Sequence, residues 1–548
     1  MYSQNPYPQD YFANPLEIPI VLAGTFAELR SNHFHSGMDI KTQQRQGLKV
    51  LASADGFVSR IKISPFGYGK ALYITHPNGY TTVYAHLSKL APKIEAYLKE
   101  RQYEQETYGI ELFPPIKALV VKKGELVAYS GNTGSSAGPH LHFEIRDKNE
   151  HPMNPMLFGI NTKDTTKPLI SGLYAYPISE DAQINKSANK QPIRITRLAD
   201  GNYMAESITA VGKIGFGIET IDRQDLANNK NGVYNIQTQF NGSTNFEIDF
   251  STFSFYETND INRLIDYDIY KTEKDKIQKL FVDTNNGLSL YKNTIDQGYL
   301  TITDSTSGVY KIKVSDFRNN ESWVTVPIDG KFSQDVLKKA YEVTPNYIYA
   351  NQATTLAEEN ATVTFYKDTF YDDFFIDFKS TNDTLQLLPI GYAARKSFNI
   401  TFDITKYNEA DKEKLFIAEL VGYKKWPKYS TTTRAENTLS TLTKSLGYYT
   451  IASDTIAPKI TPINFKDEQW ISNAKTLKVK ITDDLSGISD YRATLNGKWI
   501  LMEYEYKSNS LTYDFNDQIS TEPHNDFKLI VTDNVGNSST FEARFHRK

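Results

Sequence analysis

Two histidines one residue apart, His140 and His142, lie in Gly138-Pro139-His140-Leu141-His142-Phe143-Glu144, a stretch that reads as the start of a β-strand. In an extended strand residues i and i+2 face the same way, about 6.5–7 Å apart, so both imidazoles look into one cavity. Imidazole is the commonest protein metal ligand and the side chain best suited to moving protons near neutral pH. Far earlier in the chain, Arg30-Ser31-Asn32-His33-Phe34-His35-Ser36-Gly37-Met38-Asp39-Ile40 supplies two more imidazoles and a carboxylate. A catalytic zinc centre uses about three protein ligands plus a water. His35, Asp39 and one histidine of the later pair complete such a set. The other member of the pair and His86, in Tyr84-Ala85-His86-Leu87, are then free for proton transfer or oxyanion stabilisation. The residues alone leave open which of His140 and His142 takes the metal.

The elements that must position these groups are short. Val50-Leu51-Ala52, Gly56 to Ile61, Ala71 to His76 and Tyr80 to His86 read as strands, and Pro77-Asn78-Gly79 as a hairpin turn, since Asn-Gly tolerates the positive φ of tight turns. Residues 1 to about 15 are Pro/Tyr/Asn-rich and read as an extended lead-in, with ordered structure expected from Leu16. A helix is expected over about 93–107, with Pro92 at its start and Ile94, Tyr97, Leu98 and Arg101 on one face. It is either a surface insertion or a wall of the cleft. Strands resume at Ala118 and lead through the glycine-rich loop Gly131 to Gly138 into the histidine strand.

A chain of 548 residues is too long for one core. Abundant Tyr (36) and Phe (30), with turn-forming Asn, Thr and Asp and few helical stripes, make it mostly β. A net charge of −4 and a pI near 6.2 provide no basic surface for nucleic acid. No apolar run approaches the 18–20 or so residues of a membrane span. The N-terminus lacks the basic and apolar regions of a secretory signal, so either the protein is cytoplasmic or a signal segment has been removed. Zero cysteines exclude disulfides, thiolate metal sites and a cysteine nucleophile, and fit an oxidising compartment.

Beyond residue 160 the chain repeats itself. Asp164-Thr165-Thr166-Lys167-Pro168-Leu169-Ile170 recurs as Asp454-Thr455-Ile456-Ala457-Pro458-Lys459-Ile460. Gly232-Val233 before Asn241-Gly242 recurs as Gly487-Ile488 before Asn496-Gly497. Tyr310 to Asn320 recurs as Phe527 to Asn537, a strand followed by an Asp/Asn turn. Two copies of one β module are implied, and they resemble bacterial immunoglobulin-like modules, the first with an insertion around Phe246 to Leu300. Residues 331–453 read as a further β domain of unknown type. Asp483, Asp484, Asp533 and Asn537 could hold calcium, but turn formation explains them more simply.

His35-x-x-x-Asp39, Tyr84-Ala85-His86-Leu87 and Gly138 to Glu144, in that order, resemble the lysostaphin-type zinc endopeptidases of bacterial cell walls, over residues 20 to 155. The resemblance implies that His35, Asp39 and His142 ligate Zn²⁺, while His140 and His86 face the reacting water and the scissile carbonyl. His140 is expected to move the proton and His86 to support the oxyanion. His33 could add a fourth ligand on the face of His35, but the family motif does not require it, and a place beside the groove is favoured. Glu28 and Arg30 are expected to position ligands or substrate.

The fold expected is a β peptidase domain of barrel-sandwich hybrid type at 16–160, with an insertion at about 92–115. Immunoglobulin-like domains at 164–330 and 454–548 flank the β domain at 331–453. The function expected is zinc-dependent cleavage of peptidoglycan cross-link peptides in the periplasm or outside the cell, with the C-terminal β domains positioning the enzyme or binding an envelope protein. The alternative is a catalytically silent or latent envelope scaffold whose β domains bind partners.

Overall fold

The strand that carries the paired histidines is the centre of the N-terminal domain. In the computed structural model, which describes residues 6–225, 227–340, 342–517 and 522–548, the domain contains twelve strands, one α-helix and a short 3-10 turn at Pro155–Phe158. These are β1 (Leu22–Gly24), β2 (Met38–Lys41), β3 (Lys49–Leu51), β4 (Gly56–Ile63), β5 (Lys70–Thr75), β6 (Thr81–Ala85), β7 (Lys89–Leu90), α1 (Pro92–Gln105), β8 (Ile110–Leu112), β9 (Val120–Val121), β10 (Leu126–Tyr129), β11 (His140–Arg146) and β12 (Pro152–Met153). The larger sheet runs β1-β2-β11-β6-β5-β4-β8, with β12 beside β11 and β9 beside β4; a second sheet runs β3-β10-β7. Leu141 to Arg146 are all buried, because β11 has a strand on each side and a packed layer on each face.

Antiparallel register brings distant motifs together. His142 pairs with Asp39 of β2 on one side and with Ala85 of β6, next to His86, on the other. Leu141, Phe143 and Ile145 alternate away from the histidines into a core with Val58, Ile61, Leu72, Ile74 and Tyr84. The turn between β5 and β6 forms as read, with Gly79 at φ 87°.

Two local expectations are corrected. Order does not wait for Leu16: Phe12 is buried and packs its ring against His76, Tyr80 and Phe158. Aromatic burial thus anchors a lead-in that has no periodicity of its own; residues 1–5 of that lead-in lie outside the described residues. The helix forms, but its buried side is Ile94, Glu95, Leu98 and Gln102. Glu95 accepts from the Leu90 amide at 2.9 Å and Gln102 donates to the Tyr108 carbonyl at 2.7 Å, so polar side chains satisfying nearby backbone groups join the inner face, with Tyr97 half-buried against the same core and Arg101 paired with Glu104.

The remainder is β structure, with only short helical turns such as those between Thr258 and Thr272. Residues 169–330 form one 13-stranded network that includes parallel pairs, 203–204 with 324–325 and 208–210 with 328–330. Residues 346–453 form six- and five-stranded sheets, and residues 459–546 form four- and five-stranded sheets. The repeated Asp/Asn turn makes the same bonds in both copies. Asn320 Nδ2 donates to Asp316 Oδ2 at 2.7 Å and to the Asp164 carbonyl at 3.3 Å; Asn537 Nδ2 donates to Asp533 Oδ2 at 2.7 Å and to the Asp454 carbonyl at 2.9 Å. Each turn ties the last strand pair of its module back to the linker that opens it.

The N-terminal domain is held by both copies. Phe26, Ala27 and Phe34 lie in the core of the 169–330 module, and Leu501 of the last module lies in the core of the N-terminal domain. No helix among the described residues is long and apolar enough to cross a membrane.

Candidate metal centre

Three polar atoms meet beneath the surface of the larger sheet. His35 Nε2 is 3.0 Å from Asp39 Oδ1 and 3.0 Å from His142 Nδ1, and His142 Nδ1 is 2.9 Å from Asp39 Oδ1. All three residues are buried.

The outer nitrogen of each ring is already committed. His35 Nδ1 is 2.7 Å from the Thr25 carbonyl, which can only accept, and His142 Nε2 is 2.8 Å from Glu144 Oε1. With the ring protons held there, each neutral imidazole turns a lone pair inward. Two lone pairs and a carboxylate oxygen at 3 Å repel one another unless a positive charge sits among them. In the metal-free protein that charge is a proton. Burial pushes the His142 ring down, but its bonds to Asp39 and Glu144 outweigh this and hold it at about 9. Asp39 is held well below the ordinary carboxylate range, since His35 and its bonds to the surrounding imidazoles overcome its own burial. Nitrogen and oxygen donors of this number and kind fit a zinc ion.

The remaining imidazoles border the same space. The ring centroids of His86 and His140 are 4.7 Å apart, and His86 lies 5.8 Å from His142. His140 Nδ1 is 2.9 Å from the Gly138 carbonyl, so its proton resides there; His140 Nε2 lies 3.3 Å from Asp39 Oδ1 and has no hydrogen-bond partner among the described residues. The His140 side chain is 13% exposed and that of His142 only 3%. The strand therefore presents its first histidine to the mouth of the site and its second to the floor.

His86 has φ 59°, a left-handed conformation that a non-glycine residue holds at a cost. Its Nδ1 lies 2.8 Å from the Thr133 carbonyl. Burial, then His142 and His140, push its pKa down to about 3, so the ring is neutral. With its proton held on Nδ1, its Nε2 carries the lone pair.

The other nearby residues separate clearly. His33 does not join the cluster. Residues 27–35 form a hairpin, with bonds from the Ala27 amide to the His35 carbonyl and from the His35 amide to the Glu28 carbonyl. Asn32 turns at φ 62°, leaving His33 exposed at the tip. Arg30 Nη2 bridges Glu28 Oε2 at 3.1 Å and Asp39 Oδ2 at 3.3 Å, so Arg30 holds the Asp39 carboxylate from behind. A Cβ on Gly24 would meet both Arg30 Nη2 and Asp39 Oδ2 at 2.8 Å. The helix α1 turns toward β7 and the last module, with Tyr103 against Trp499 at 5.2 Å and Lys99 paired with Asp517.

Sequence reasoning missed the support beneath His142. Glu144 Oε1 also takes the hydroxyls of Ser36, at 2.7 Å, and Tyr68, while Arg146 Nε donates to Glu144 Oε2 at 2.6 Å. His140, His142, Glu144 and Arg146 alternate along one face of β11, a signal present in the strand itself. Thr25 and Tyr68 arrive from other segments and carry no such signal.

Comparison with known proteins agrees on this region. A model of peptidase family M23 matches residues 33–103 and 117–155, and a Zu5-like domain model matches residues 345–454. The DD-carboxypeptidase/endopeptidase Mpg of Neisseria meningitidis is 35% identical over 139 residues, which are 25% of this chain and 26% of that protein. The peptidoglycan DD-endopeptidase ShyB of Vibrio cholerae is 32% identical over 122 residues, 22% of each chain. Among solved structures, the catalytic domain of lysostaphin from Staphylococcus simulans is 21% identical, covering 25% of this chain and 90% of that one at a TM-score of 0.19. The chain matches about a quarter of the length of these curated relatives.

Proposed function

Starting from residues 33–155 as a peptidase family M23 domain, we propose that the protein is a zinc-dependent endopeptidase that cleaves cross-link peptides of bacterial peptidoglycan outside the cytoplasm. The observation that carries this reading is the triangle of His35 Nε2, Asp39 Oδ1 and His142 Nδ1, whose ring protons are held on the far side by Thr25 and Glu144. The activities named for the Neisseria and Vibrio relatives support the substrate class.

His35, Asp39 and His142 would hold zinc, which supplies Lewis-acid activation of water and of the peptide carbonyl. His140 does the proton work. Its Nε2 lone pair accepts the proton of the attacking water, and the resulting imidazolium, steadied by the Asp39 carboxylate, returns it to the leaving amine. His86, kept neutral by burial, uses its own Nε2 lone pair to orient that water. The C-terminal β domains position the enzyme or bind an envelope partner.

A second reading, a latent or silent envelope module, is supported by the last module's position at the rim of the site. Lys507 Nζ donates to the carbonyls of Asn132 and Gly134, the latter at 2.8 Å, and Tyr506 packs on Phe66 at 4.9 Å.

Zinc content and peptide release from purified cell-wall fragments test the proposal. Wild type should carry stoichiometric zinc and release peptides. His142→Ala and Asp39→Ala should lose both. His140→Ala should keep zinc and lose turnover by about 10²–10⁴-fold, the scale of general acid–base catalysis. Zinc bound by the wild type with no cleavage of any peptide would favour the latent reading, and the opposite behaviour of the two histidine variants would exchange their roles.

A further inference from the structure

A second cluster of oxygen donors lies where the N-terminal domain meets the 169–330 module. Asp164, Asp222 and Asp316 come from three separate segments, and one carboxylate oxygen of each lies within 4.8 Å of the others. They line a cavity shared with Thr25, Asn231 and Arg318. Asp222 is 4% exposed, and its Oδ1 has no hydrogen-bond partner among the described residues. Asn231, also 4% exposed, faces it across a two-bond backbone bridge, with the Asp222 amide on the Asn231 carbonyl at 3.0 Å and the reverse bond at 2.8 Å; both polar atoms of its side chain are unpartnered. Buried polar groups are ordinarily satisfied, so a carboxylate and an amide left open in one cavity call for a ligand.

The charge around Asp222 is not balanced by the protein. Arg318 is the cation in the lining, and its guanidinium is directed elsewhere, to the Thr162 carbonyl and Asn161 Oδ1, each at 2.9 Å. Burial, then Asp316 and Asp164, push the Asp222 carboxyl up to about 8.

The repeat supplies an internal control. Asp454, Asp483 and Asp533 form the matching cluster in the last module. There every carboxylate is occupied by turn amides. Asp454 accepts from Ile456 and Ser486 at 3.1 and 3.0 Å, Asp483 from Leu485 and Gly487 at 3.2 and 2.6 Å, and Asp533 from Val535 and Asn537 at 2.9 and 2.8 Å. That cluster is explained by turn formation. In the first copy Asp164 and Asp316 keep the same turn amides, from Thr166 at 3.0 Å and from Arg318 and Asn320 at 2.7 and 2.9 Å, but Asp222 opens a longer loop before Gly232 than Asp483 does before Gly487, and its Oδ1 is left without a donor.

We propose that Asp164, Asp222 and Asp316, with the side-chain oxygen of Asn231, form a calcium site. All-oxygen donors select a hard cation, and calcium accepts six to eight oxygens at about 2.3–2.6 Å in flexible geometry, which suits ligands from separate loops. The site would close the 222–233 loop onto the segment that supports the first metal centre. The Gly232 amide donates to Thr25 Oγ1 at 2.9 Å, Gln224 Oε1 accepts from the Leu22 amide at 2.7 Å, and the Thr25 carbonyl holds His35.

The test uses the zinc-loaded full chain in calcium-free buffer at pH 8.5, titrated with CaCl₂ by calorimetry and by thermal unfolding. Wild type should give a saturable isotherm and an upward shift in melting temperature. Asp222→Asn should lose both while melting higher than wild type without calcium, because an unpaired buried charge is gone. Asp164→Asn should lose the isotherm as well, which keeps the test decisive if Asp222→Asn fails to fold. Asp483→Asn should bind calcium like wild type. No isotherm in the wild type, or one that survives both Asp222→Asn and Asp164→Asn, overturns the proposal, as does its loss in Asp483→Asn.

Discussion

His140, His142, Glu144 and Arg146 share one face of a single strand, and each has a different task because each meets a different neighbour. Glu144 never touches the metal position, yet it decides which nitrogen of His142 faces inward. Glu144→Gln removes the charge and weakens the hold of Arg146. Zinc affinity should fall by about 10–100-fold, the usual loss for an outer partner of a ligating histidine, as read by competition with a chromophoric chelator. Acid should weaken zinc as well. The His142 proton, held to about 9 in the metal-free protein, competes with the ion, so affinity should drop by about tenfold for each pH unit below that value. Without metal the sign reverses. A ring whose folded pKa is raised above its ordinary 6.5 or so stabilises the fold fully below about 6.5, and that stability is lost as pH rises through about 9. Chemical denaturation of the metal-free chain at pH 6 and pH 10 reads this directly: wild type should lose stability over the interval, and His142→Ala should lose less.

At the scale of elements, the hairpin of residues 27–35 links the metal centre to another module's core. Phe34 is buried beside Phe253, with ring centroids 5.3 Å apart, and the next residue is His35, one of the proposed ligands. Phe34→Ala should destabilise the chain by about 3–5 kcal/mol, typical of a phenylalanine removed from a core, and should weaken zinc binding although no ligand changes. Thermal melts and chelator competition on one preparation separate the two effects. This element also marks the limit of what the sequence discloses. That β2 and β6 flank the histidine strand is set by pairing that no residue spacing names, but that His140 and His142 share one face of it was legible from their i, i+2 spacing. The hairpin was not, since the partners of Phe26 and Phe34 lie in another module and no local period points to them. His33, which would share a face with His35 in an extended segment, sits exposed at the tip of this hairpin beside the turn at Asn32. The helix existed where read, with Ile94, Tyr97 and Leu98 against the core, and it buries Glu95 and Gln102 as well, because they satisfy backbone groups that apolar periodicity ignores.

For the whole molecule, the last module reaches back across the chain to the rim of the site. Lys507 holds the carbonyls of Asn132 and Gly134, which flank the Thr133 carbonyl that fixes His86. Lys70, almost fully buried, pairs with Glu503 at 2.7 Å, while its backbone amide donates to Thr133 Oγ1 at 3.0 Å. These contacts converge on one short loop, and the loop sets the orientation of an imidazole already strained in its backbone. Bracing is therefore the effect that their geometry favours. Lys507→Ala should leave zinc content unchanged and lower the rate of peptide release, by up to about 10²-fold if His86 shifts by an ångström. Tyr506→Ala, which touches Phe66 on the same rim, should act in the same direction and more weakly. A cover that must lift before substrate enters would give the opposite sign, since loosening it raises the rate on large cell-wall fragments while leaving that on small peptides nearly unchanged. Measuring both substrates with both variants distinguishes a module that braces the catalytic loop from one that closes it.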